Sequence, residues 1–97
     1  MQFGPTPTRT VAAPSVDDAV TTLRRFGFHE HERADDAAVL KKPGNRFSLR
    51  VHQRPLEARL SAVGPGEVEL GLRYDQFIVI DTGDLDRHAD RLAAAFG

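Results

Sequence analysis

Polar and apolar residues alternate almost without error from Arg46 to Arg54, through Phe47, Ser48, Leu49, Arg50, Val51, His52 and Gln53. Side chains of a β-strand point to opposite faces with a period of two. A strand here puts Phe47, Leu49 and Val51 on one face and Arg46, Ser48, Arg50, His52 and Arg54 on the other. One face is dry and the other wet and cationic, so the strand belongs to a sheet covered on one side only.

Punctuation along the rest of the chain predicts the elements around that strand. Residues 1–7 hold two prolines and a glycine and read as a loose lead-in, followed by a short edge strand over 8–13. Ser15 is a good helix N-cap, and Asp17 and Asp18 suit the positive end of the helix dipole. Val16, Ala19, Val20 and Leu23 follow helical spacing, Phe26 extends their face, and Gly27 supplies a left-handed stop. A helix over 16–26 follows.

Strands are expected over 28–33 and 37–42 about a turn at Ala34-Asp35-Asp36. Pro43-Gly44-Asn45 is a hairpin signal leading into 46–54. Further strands are expected over 58–63 and, past Gly64-Pro65-Gly66, over 67–74. The apolar run 77–80 reads as a buried strand, and one strand from 67 to 80 would be unusually long, so a bend is expected near Tyr74-Asp75-Gln76. Thr82 or Asp84 caps a last helix that places Leu85, Ala89, Leu92 and Phe96 on one stripe. The economical packing is a single α+β domain over residues 1–97. It has two layers: an antiparallel sheet of about five or six strands with two helices on its dry face.

Composition narrows the function classes. Ninety-seven residues, 40% apolar and 28% charged, are enough for one core without staples. The formal net charge of −1 provides no global attraction to nucleic acid or to an anionic membrane. Cysteine is absent, which excludes disulfides, thiolate metal sites and a cysteine nucleophile. Met1 to Pro7 has neither the basic start nor the apolar run of a signal peptide, and no segment approaches bilayer-spanning length. A soluble, cytoplasmic protein is expected, and the preference for arginine over lysine reads as the codon usage of a GC-rich bacterial genome. There is no Gly-x-Ser-x-Gly elbow, phosphate-binding glycine loop or His-Glu-x-x-His helix.

Three clusters offer chemistry. In Phe28-His29-Glu30-His31-Glu32 a strand would put His29 and His31 on one face, where two imidazoles can chelate a metal, with His52 as a third ligand. Charged residues on both faces equally describe a solvated edge strand. Asp81-Thr82-Gly83-Asp84-Leu85-Asp86 is acidic, but it lacks the spacing of a calcium loop and is explained by a helix start. The cationic stripe Arg46, Arg50, His52 and Arg54, joined by Arg59, suits an acidic partner. Glu57, Glu67 and Glu69 on nearby strands are positioned to answer those arginines across the sheet. No aromatic accompanies the stripe to stack a base, which argues against nucleic acid.

Ser15-Val16-Asp17-Asp18-Ala19-Val20 through Leu23-Arg24-Arg25-Phe26-Gly27-Phe28, with three strand-like runs ending near His52, resembles one βαβββ half of the vicinal oxygen chelate proteins, the glyoxalase and bleomycin-resistance group. The second half of the chain does not repeat that order. The expected function is a small non-enzymatic binding or accessory domain that engages another protein of acidic surface through the open sheet face or an edge. Arg46, Arg50, His52, Arg54 and Arg59 form the expected contact surface, without cofactor or metal. The alternative is a small metal-dependent enzyme or ligand-binding domain, a glyoxalase-like half, using His29, His31 and His52. A homodimer pairing edge strands is a third reading.

Overall fold

The computed structural model describes residues 7–44, 55–74 and 84–96. In chain order these form β1 (Thr8–Ala12), α1 (Val16–Arg24), β2 (His29–Ala34), β3 (Ala37–Lys42), β4 (Leu56–Gly64), β5 (Glu67–Tyr74) and α2 (Asp84–Ala94). The expected strand over 46–54, with its alternating stripe, and the apolar run 77–80 lie outside the described residues.

Among the described residues the sheet has five strands in the order β1-β5-β4-β3-β2, every neighbouring pair antiparallel. Among the described strands, β2 to β5 lie side by side in sequence order, an antiparallel meander. Strand β1 returns beside β5, so the first two strands occupy opposite edges, parallel to each other and joined through α1. This is the expected two-layer α+β architecture.

Each helix forms for the reason its sequence suggests. The Ser15 hydroxyl accepts from the Asp18 backbone N–H, which satisfies one of the unpaired donors at the start of α1. Val16, Ala19, Val20 and Leu23 are buried along one stripe. Helix α1 ends at Arg24, slightly short of the expected 26. Gly27, at φ 92°, then turns the chain into Phe28, which is fully buried. In α2, Leu85, Ala89 and Leu92 are fully buried and Phe96 packs against the same core.

Strand alternation supplies the other half of the core. Val68, Leu70, Leu72 and Tyr74 of β5 are buried, as are Leu56, Ala58 and Leu60 of β4, Ala38 and Leu40 of β3, and Val11 of β1. Helix α1 covers β2, β3 and β4, while α2 covers β1 and β5. The turn between β4 and β5 carries Pro65 followed by Gly66 at φ 72°, a residue pair that suits a type II turn. Strand β4 begins at Leu56 rather than at the expected 58, directly after Pro55.

Candidate functional site

The face of the sheet turned away from the helices carries the polar half of each alternation. On β5 it presents Glu67, Glu69, Gly71 and Arg73, and on β4 it presents Glu57, Arg59 and Ser61. Register makes the neighbours explicit: Glu57 lies opposite Arg73, Arg59 opposite Gly71, and Ser61 opposite Glu69. On the far side of β5, Thr8 lies opposite Gly71 and Thr10 opposite Glu69. Strand β3 adds Lys41 opposite Glu57 and Val39 opposite Arg59.

Glu57 organises this face. Its side chain is 4% exposed, whereas those of Arg59 and Arg73 are 62% and 46% exposed. Arg59 Nε donates to Glu57 Oε2 at 3.0 Å, and Arg73 Nε approaches the same oxygen at 2.6 Å. Burial pushes the Glu57 carboxyl pKa up, but hydrogen bonds and attraction from Arg59 and Arg73 outweigh it and hold the carboxyl below its ordinary value. The arrangement is a buried anion beneath two exposed cations. Each guanidinium is held at Nε, which leaves Nη1 and Nη2 of both as donors for another group.

Beside this triad is a depression of about 370 Å³ lined by Thr8, Arg59, Ser61, Glu69, Gly71 and Arg73. Gly71 forms its floor, since the two neighbours of Gly71 in the register, Thr8 and Arg59, are its walls.

The residues singled out by sequence fall unevenly on this picture. Arg59 stands in the centre of the open face. Arg46, Arg50, His52 and Arg54 lie outside the described residues. Glu57 answers Arg59, and does so along its own strand as well as reaching across to Arg73. Arg73, Gly71, Thr8 and Ser61 were not anticipated. Their signal was present in the polar half of β5, where glycine replaces a side chain in the middle of a central strand.

The histidine cluster has a different geometry from that expected. His29 lies opposite Lys41 and Glu30 opposite Leu40, but Glu32 then lies opposite Val39, so His31 is an extra residue at a bulge. The bulge breaks the period of two: Glu30 and Glu32, expected to share a face, lie on opposite faces. All of β2 is exposed. Among the described residues no three His, Cys, Asp or Glu side chains converge as a metal-binding group.

No described helix is long and apolar enough to cross a membrane. The third of the strand-like runs behind the resemblance to a βαβββ half, 46–54, lies outside the described residues. Compared with known protein families and with characterised proteins, the chain matches none.

Proposed function

We propose that this protein is a small non-enzymatic binding domain that engages an acidic surface of another protein through the open face of its sheet. The observation that carries the reading is the pair Arg59 and Arg73, exposed at the centre of that face and both anchored on buried Glu57. Two guanidiniums over one carboxylate put a surplus of positive charge at one end of the face, with Glu69 at the other end. Arginine held in place by a second group loses less conformational freedom on binding than a loose side chain, and its planar fork matches a carboxylate. A rigid sheet presents the pair at fixed spacing, which favours recognition over catalysis.

Quantitative affinity capture tests this reading, with the wild-type chain compared against Arg59→Glu and the retained proteins measured by mass spectrometry. Arg59 is largely exposed but also partners buried Glu57, so the substitution costs some stability, and circular dichroism checks that the variant is folded at the capture temperature. The expected result is a protein of acidic surface that the wild type retains and Arg59→Glu loses, with retention falling as salt rises. An identical set of retained proteins for both baits overturns it.

A further inference from the structure

We infer that the depression over Gly71 is a carboxylate subsite, into which the acidic partner places one Asp or Glu side chain between Arg59 and Arg73. The inference rests on the proposed partner surface and adds where on it, and by what chemistry, the contact is made.

Gly71 provides the first line of argument. Glycine in a strand interior costs about 0.5–1 kcal/mol relative to alanine, so it needs a reason. Backbone conformation is not that reason, because Gly71 is not among the residues with positive φ. Crowding is not the reason either. A Cβ built there would meet the Thr8 methyl at 3.6 Å and the Arg59 carbonyl oxygen at 4.0 Å, both ordinary contact distances. A Cβ would be tolerated by the protein, and a side chain extending from it would enter the depression. What glycine preserves at this position is the empty space.

The walls provide the second. Arg59 and Arg73 each spend Nε on Glu57, which fixes their direction and leaves their outer amino groups as donors at the cavity. Thr8 and Ser61 add hydroxyls. The site is therefore built, with the buried carboxylate acting as a positioning residue for two exposed cations.

Glu69 on the opposite wall decides which anion fits. Successive same-face residues on a strand are about 7 Å apart, so Glu69, Gly71 and Arg73 form an acidic end, a floor and a basic end. The two arginines balance Glu57 and Glu69. A monoanionic carboxylate adds a single negative charge and can turn it to the basic end, whereas a phosphate dianion brings twice the charge against the same Glu69. The occupant is thus a carboxylate. A depression that is open to solvent and carries charged and hydroxyl side chains suits a side chain delivered by a partner surface, where the surrounding contact excludes water.

Amide and arginine Nε–H chemical shifts of the isotope-labelled full chain test the assignment. The probes are an N-acetylated heptapeptide with two central glutamates, the same peptide with glutamines, and inorganic phosphate. The glutamate peptide is expected to shift Thr8, Gly71 and the Nε–H signals of Arg59 and Arg73, and the glutamine peptide is not. Gly71→Val, whose melting temperature should match or exceed that of the wild type, is expected to weaken the glutamate response at least tenfold. Shifts confined to other residues of the open face would overturn the subsite while leaving the partner surface standing. No shift anywhere on that face would overturn both. A stronger response at the same residues to phosphate, or an undiminished response in Gly71→Val, would overturn the carboxylate assignment.

Discussion

Glu57 is a buried carboxylate paired with two arginines that are themselves about half in solvent. Removing water from a carboxylate favours its neutral form, and the two guanidiniums reverse that preference. Its folded-state pKa is therefore below the ordinary value of 4.5. A lowered carboxyl pKa contributes stability that is complete above the unfolded value and is lost as pH falls through the folded value. Glu57→Gln keeps the shape and removes the charge. Hydrogen bonds to charged groups are worth about 1.5–3 kcal/mol, and the exposure of both arginine heads discounts this to about 1–2 kcal/mol. Urea unfolding at pH 7 is expected to show the variant less stable by that amount, and the gap should close as pH falls below 4.5. Both proteins share every other carboxylate, so the narrowing of the gap isolates Glu57. A gap of the same size at pH 7 and pH 3 would show that the charge of Glu57 is not what stabilises the fold.

At the level of elements, the two edge strands of the described sheet share a device that joins the layers. Arg9 of β1 faces the helix side and donates from Nε to Asp90 at 2.7 Å and from Nη2 to Asp86 at 2.8 Å, two residues four apart on α2. Arg33 of β2 does the same for the other helix by pairing with Asp17 of α1. At an edge the helix layer runs out. An arginine there covers the margin of the core with its methylenes and returns its charge to the helix. The aspartates are mostly exposed, which limits each pair to about 0.2–1 kcal/mol. Arg9→Met, which preserves the apolar stem, is expected to cost no more than the two pairs together in urea unfolding, and less in 1 M sodium chloride. A cost that does not respond to salt would assign the loss to packing instead.

Legibility in the sequence followed how firmly apolar residues pinned each element. In β5 four apolar residues alternate from Val68 to Tyr74, and its bounds of 67–74 agree with expectation. In α1 the stripe Val16, Ala19, Val20, Leu23 and the Ser15 cap left little freedom. Strand β2 runs His29-Glu30-His31-Glu32-Arg33 with no apolar residue to penalise a slip, so alternation could not show the bulge. The two interlayer arginines were hidden for a related reason: Arg9 and Arg33 sit on the core-facing side, where pattern reading expects apolar residues. Glu57 was legible as a partner for nearby arginines. Its burial was not, because burial depends on which strands flank β4.

At the scale of the whole molecule, sheet order was the part no local pattern carried. Strands β2 to β5 pair with their neighbours in sequence, whereas β1 lies at the far edge of the described sheet, joined to β2 through α1, and binds β5, Thr8 opposite Gly71 and Ala12 opposite Glu67. That pairing also forms the Thr8 wall of the candidate subsite, so the site is complete only when the longest-range contact in the sheet has closed. Closing a long loop costs entropy before any contact repays it, and the meander offers cheaper contacts first. Docking of β1 is accordingly expected after the folding transition state. Val11 is buried on β1 opposite Val68, and truncating it to alanine removes two methyl groups worth about 2 kcal/mol, enough for kinetic measurement. Stopped-flow chevrons should show Val11→Ala unfolding faster with its folding rate nearly unchanged. Leu60→Ala in central β4, fully engaged with the meander, should slow folding as well. A Val11→Ala folding rate reduced in proportion to its loss of stability would instead place β1 in the nucleus, and the subsite would then form with the sheet rather than after it.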